Sequence, residues 1–156
     1  MQSCAKGPMK LHDKHPSPTG IFDLKVWRDG RLIDSYRDEN LIVDPGRNAV
    51  TRLLGGDGAG LWIAKIGFGI GATPADPSNS ALSGAFIKDL DAHTYPTNTS
   101  VSFSFSLLAT EANGLQISEF GLITASGVLF ARKVRTAGPL TKDSDLALSG
   151  SWTLLY

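Results

Sequence analysis

The apolar pattern of the chain predicts a mainly β fold: an antiparallel β-sandwich with one short α-helix and an extended N-terminal arm. Three observations carry this expectation. Val101, Phe103, Phe105 and Leu107 alternate with Ser102, Ser104 and Ser106, the period of two that a strand packed on one face requires. Leu146, Leu148, Trp152, Leu154 and Tyr156 share one face of a second run, set against mainly Ala, Ser and Thr. Only the stretch from Asp44 to Gly56 carries helix signals in order. At 156 residues the chain suits one domain, large enough to bury roughly 68–70% of the surface that its extended form exposes.

Residues 1–19 combine Pro, Lys and His with few apolar side chains, too little to offset the entropy of ordering them. They are expected to form a flexible or partner-docked arm, with Met9 and Leu11 as apolar docking points on a neighbouring subunit. Residues 20–156 are expected to form a single sandwich domain. The segments "IFDLKVW" and "LIDSYRDENLIV" flank Asp29-Gly30, a favoured pair for a tight hairpin turn. In the helix, Asp44 reads as N-cap, Pro45 as first helical residue, Ala49, Val50, Leu53 and Leu54 as apolar positions, and Gly55-Gly56 as terminator. Arg47 and Arg52 fall on its polar side. "LWIAKIGFGIG" reads as a strand running into glycine, "ATPADPSNSAL" as a loop, and "AFIKDLD" as a further short strand. Within "EFGLITASGVLFARKV", two runs apolar on both faces meet at a turn over residues 125–127, a hairpin that needs cover on both sides. Trp27, Trp62 and Trp152 sit inside strand patterns and are expected in the core.

Composition narrows the chemistry. Lys plus Arg and Asp plus Glu both total 15, so no net field draws nucleic acid or an anionic membrane. No apolar stretch approaches about 20 residues, and the N-terminal sequence has no continuous apolar signal core, so a soluble, unprocessed chain is expected. Cys4 is the single cysteine, which excludes an intramolecular disulfide framework and an all-cysteine metal cage. On an arm, Cys4 offers an inter-subunit disulfide in oxidising surroundings.

Several groups invite a site and favour a blander account. "GFGIG" has the close glycines of an anion loop but lacks the following Lys and Ser or Thr. His12, His15 and His93, with Asp13 or Asp91, have no committed metal spacing. Asp89 with Asp91, and Asp143 with Asp145, stand two apart as paired acids would, among turn-forming residues that favour solvated loops. Arg132, Lys133 and Arg135 make a local basic patch without aromatic platforms, better read as a charged strand end or a salt-bridging surface. Glu119, at the start of this doubly apolar hairpin, is expected as a buried or interfacial carboxylate in need of an Arg or backbone N–H partner. No catalytic residue, cofactor or metal is expected.

In order and punctuation, "NLIVDPGRNAVTRLL", "IAKIGFGIGATPADPSNSAL" and "EANGLQISEFGLITASGVLFARKV" resemble the N-terminal attachment domains of tailed-bacteriophage tail-fibre and baseplate proteins. The likeness covers about residues 40–156 and rests on Ile63, Ile66, Gly67, Gly69, Pro74, Ala81 and Leu82, then on Glu119 to Leu122, Gly127, Leu129 and Ala131. The hairpin at residues 21–43 and the arm are not part of the pattern. The resemblance implies a non-enzymatic virion structural protein of the tail, baseplate or neck (collar). Such a protein is usually a homo-oligomer and contacts other virion proteins rather than nucleic acid or membrane. Cys4, Met9, Leu11, Glu119, Arg132 and Arg135 are the expected assembly contacts. A capsid decoration protein and a carbohydrate-binding sandwich are the alternatives.

Overall fold

The computed structural model describes residues 18–156. Strands make up 53% of it and helix 9%, so the chain is mainly β, with one helix and a curled antiparallel sheet. The elements are β1 (Thr19–Arg28), β2 (Arg31–Ile42), α1 (Asp44–Gly55), β3 (Ile63–Gly69), β4 (Phe86–Asp89), β5 (Ala92–Thr97), β6 (Ser100–Leu107), β7 (Gln116–Ile117), β8 (Glu119–Thr124), β9 (Leu129–Val134), β10 (Leu140–Thr141) and β11 (Leu146–Leu155). The expected arm, with Cys4, Met9 and Leu11, lies outside the described residues except at its end, where Thr19 already belongs to β1.

Nine strands form one sheet in the order β4-β3-β8-β9-β2-β1-β11-β6-β5, and β7 pairs with β10 separately. β1 and β2 are joined by Asp29 (φ 48) and Gly30 (φ 76), the two left-handed positions of a tight hairpin turn. Asn40 of β2 still faces Gly20 of β1, but Leu41 and Ile42 pair instead with Arg132 and Ala131 of β9. β2 therefore changes partners along its length and carries the sheet round a corner. The two halves close on an aromatic core: Phe22 of β1 lies 4.7 Å from Phe120 of β8, and Phe68 of β3 lies 6.1 Å from Phe105 of β6, centroid to centroid.

The period-two runs pack as their pattern dictates. Phe103, Phe105 and Leu107 are buried from β6, and Leu146, Leu148, Trp152 and Leu154 from β11, whereas Tyr156, beyond the strand, is exposed. Gly150 breaks the apolar alternation of β11 because the space is taken: a Cβ there would collide with the Asp23 carbonyl and stand 2.5 Å from the ring of its paired residue, Phe105. The Trp152 indole N–H donates to Asn40 Oδ1 at 2.8 Å, so this large buried ring leaves no orphan donor.

The helix starts one residue earlier than expected. Val43 is extended (φ −81, ψ 165) and occupies the N-cap, while Asp44 lies in the first turn, its carboxylate at the positive end of the helix rather than capping an N–H. The cause is external: the Val43 N–H donates to the Phe130 carbonyl and the Asp44 N–H to the Pro77 carbonyl, which fixes the entry of the chain. Gly56 closes the helix in the left-handed conformation (φ 84). Gly46 lets α1 lie on β9, since any Cβ there would collide with the Phe130 carbonyl. Of the apolar positions of the helix, Ala49 is buried, whereas Leu53 and Leu54 are exposed.

All six residues of β8 are buried. Phe120 and Leu122 face the main core, and Ile123 joins Leu129, Val43 and Leu82 in a smaller cluster on the other side. The second cover that this doubly apolar hairpin needed is thus the helix entry and the loop that carries Leu82. β5, β7 and β10 were not legible: β7 and β10 have two residues each, and β5 is exposed at all six positions and contains Pro96.

Trp152→Ala should destabilise the fold by about 3–5 kcal/mol through cavity formation and the lost indole bond. Leu54→Ala, on the exposed side of the helix, should stay within about 0.5 kcal/mol of the parent. Urea unfolding followed by circular dichroism measures both.

Candidate functional site

The most polar part of the interior lies where β3, β8 and β9 meet the loop over residues 70–85. Glu119 is 1% exposed and Arg132 3%, and Arg132 Nε donates to Glu119 Oε2 at 2.7 Å. Glu119 Oε1 accepts from the backbone N–H groups of Ser83 (2.6 Å) and Gly71 (3.1 Å). Arg132 Nη1 donates to Asn79 Oδ1 (3.0 Å) and reaches the Pro74 carbonyl (3.4 Å). One carboxylate and one guanidinium therefore tie two strands to both limbs of a long loop.

The glycine run of β3 exists for this carboxylate. A Cβ at Gly69 would stand 2.5 Å from Glu119 Oε1, and one at Gly71 2.7 Å from it. Gly67 makes the same allowance for Leu82, with 2.6 Å to its Cδ1. "GFGIG" does cradle an anion through a backbone amide, and that anion is the protein's own side chain. Glu119 and Arg132, expected as assembly contacts, have their polar atoms engaged inside the chain.

The cations that follow Arg132, Lys133 in β9 and Arg135 just beyond it, are also paired. Lys133 Nζ contacts Asp38 Oδ2 at 2.6 Å and the Glu39 carbonyl at 2.9 Å, and sits 5.7 Å from the Tyr36 ring centroid. Arg135 donates from Nε to the Gly138 carbonyl at 2.9 Å and stands 4.0 Å from Asp34. The Asp38 carboxyl is held down to about 2, first by the Lys133 ammonium and then by the Glu39 N–H and the Tyr36 hydroxyl. A further buried cation, Lys142, donates to the Ala109 and Asp143 carbonyls and to Asn113 Oδ1, and burial lowers its pKa.

The paired acids do not assemble a cleft with Glu119. Asp89 and Asp91 are exposed at the end of β4, Asp143 is exposed, and Asp145 accepts from Arg28 at 3.2 Å. His93 is exposed on β5 against Tyr95 and Phe103, while His12 and His15 lie outside the described residues. Among the described residues, no three His, Cys, Asp or Glu side chains gather as metal ligands would.

The sequence missed an apolar groove of about 470 Å³ between the end of α1, β5 and the C-terminal end of β11. Its walls include Leu53, Trp62, His93, Tyr95, Phe103 and Tyr156. Trp62, expected in the core, is 57% exposed here, because β3 begins only at Ile63 and leaves Trp62 outside its alternation. Trp27 also departs from that expectation: it is half-buried on the outer face of β1, its indole N–H donating to Ser149 Oγ at 2.8 Å. Only Trp152 of the three is a core residue. The one available signal in the sequence was the apolar content of the helix, where of Ala49, Val50, Leu53 and Leu54 only Ala49 is buried.

No family model, curated protein or solved structure matches the chain.

Glu119→Ala should cost about 3–5 kcal/mol, because it leaves the Arg132 guanidinium buried without its counter-charge. It should also speed amide exchange at Gly71 and Ser83, as hydrogen exchange read by NMR would show. A second expectation concerns acid. The folded pKa of Asp38 lies below its unfolded value near 3.8, so its contribution is present in full above that value and is lost as pH falls toward about 2. The stability difference between the parent and Asp38→Asn should therefore be constant at neutral pH and shrink between about 4 and 2, measured by urea unfolding across that range.

Proposed function

We propose that the chain is a structural protein of a tailed-bacteriophage virion, a tail, baseplate or neck component that joins neighbouring parts of the particle and works by binding rather than catalysis. The observation that carries this proposal is the convergence of the motif residues. Ile66, Gly67 and Gly69 of β3, Glu119 to Leu122 of β8, and Leu129 and Ala131 of β9 make one continuous three-stranded unit. At its polar centre, Glu119 and Arg132 neutralise each other away from solvent, with the loop over residues 70–85 fastened across them. A closed ion pair of this kind holds a loop in shape and offers no open acid or base to a substrate, which suits an attachment domain.

The edges of the sheet support the same account. Among the described residues β4 and β5 end the strand order, and β5 is exposed throughout, an edge suited to strand addition by a neighbour. Symmetric self-association or contact with other virion proteins would use such an edge.

Immunogold labelling of purified particles from the phage whose genome encodes the chain tests the proposal. Label at the tail, baseplate or neck is the expected outcome, and label spread over the head would favour a capsid decoration protein. Particles that lack the chain by mass spectrometry would sink both. The carbohydrate-binding alternative gains one specific observation, the exposed Trp62 and Tyr95 in a single groove. Glycan-array binding that Trp62→Ala abolishes would favour it.

A further inference from the structure

We propose that the apolar groove receives the chain's own N-terminal segment, residues 1–17, with Met9 and Leu11 as its anchoring side chains. This does not depend on the virion proposal. The first ground is where the segment joins the fold. Pro18 lines a smaller cavity of about 170 Å³ together with Ile42, Arg47, Val50 and Tyr156. Val50 and Tyr156 also line the groove, so the two depressions adjoin and residue 18 enters the fold beside the groove. The exit is fixed there, because Thr19 pairs with Leu155 and the Tyr156 N–H donates to the Thr99 carbonyl.

Reach and pattern are the second ground. Leu11 stands seven residues before Pro18 and Met9 nine, extended spans of at most about 25 and 32 Å. In an extended chain, residues two apart project to the same side, so Met9 and Leu11 would enter the groove together while Lys10 turned to water. The groove offers them Leu53, Trp62 and Tyr95, which are 43%, 57% and 73% exposed. A tethered segment needs little intrinsic affinity, since a short linker holds it at a high effective concentration.

The chain carries a natural probe position in Cys4, its single cysteine. A nitroxide attached there should cost the amide signals of Leu53, Trp62 and Tyr95 their intensity in the ¹⁵N spectrum of the full chain. Gly30, at the opposite end of β1, should keep its signal. The double substitution Met9→Asp with Leu11→Asp should restore the groove signals, and so should Leu53→Asp, whose exposed position leaves the fold intact. A second sample mixes ¹⁵N-labelled Cys4→Ser chain with unlabelled, nitroxide-bearing chain, and its groove signals should be unaffected. Groove signals that survive in the first sample, or broadening that persists through the Asp substitutions, would overturn the proposal. Broadening of equal size in the mixed sample would also overturn it, in favour of segments exchanged between copies.

Discussion

A carboxylate cannot be taken out of water without compensation, and the Glu119 side chain, at 1% exposure, sets terms that much of the surrounding structure meets. It needs a cation, supplied by Arg132 from the neighbouring strand β9. It needs hydrogen-bond donors for its second oxygen, and these come from Gly71 and Ser83 at the two limbs of one loop. It needs room, and Gly69 and Gly71 provide it by having no Cβ. Arg132 in turn has donors left over, which Asn79 and Pro74 accept. The loop is thus fastened at four residues by one ion pair. Once fastened, it delivers Leu82 over Gly67 and Gly121, covering the outer face of a hairpin that could not otherwise stay buried.

This dependence explains a conflict in the sequence. A run such as "GFGIG" lowers strand propensity and suggests a loop or an anion site, whereas its neighbours demand a strand. Both demands are met because the anion is intramolecular and arrives from the adjacent strand of the same sheet. The net strength of the ion pair matters less than the penalty for breaking it, since either charge alone would be stranded in an apolar setting. Its main role is positional: it selects one path for a long loop that has few apolar side chains of its own.

How much was legible in the sequence depends on which signals are local. The hairpin at Asp29-Gly30, the serine-spaced strand, the terminal strand and the glycine stop of the helix are each written within about ten residues, and the structure contains them all. The N-cap was misplaced at Asp44 because its position depends on carbonyls from Phe130 and Pro77, far away in sequence. β5 escaped notice because an edge strand exposed at every position has no burial to impose a period. Trp62 misled in a similar way, as a large apolar residue assigned inward by type where neighbouring elements leave it uncovered. The need of Glu119 for an Arg or a backbone N–H was readable, but the identity of Asn79 and Ser83 as the loop's fastening points was not, since no local pattern marks them.

The corner in β2 connects these features. Because β2 leaves β1 after Asn40 and takes β9 as its partner for Leu41 and Ile42, the chain reaches Val43 already seated on the β9 side of the sandwich. The helix must then begin against Phe130, and Gly46 allows it to do so closely. The last turn of the twelve-residue helix that starts there leaves Leu53 and Leu54 uncovered, and a groove opens between that turn, Trp62 and β5. The closed polar centre and the open apolar groove therefore have a common origin in the path of the chain from β2 into α1. One holds the hairpin and loop in place, and the other leaves the largest uncovered apolar side chains of that end beside the point where residue 18 enters the fold.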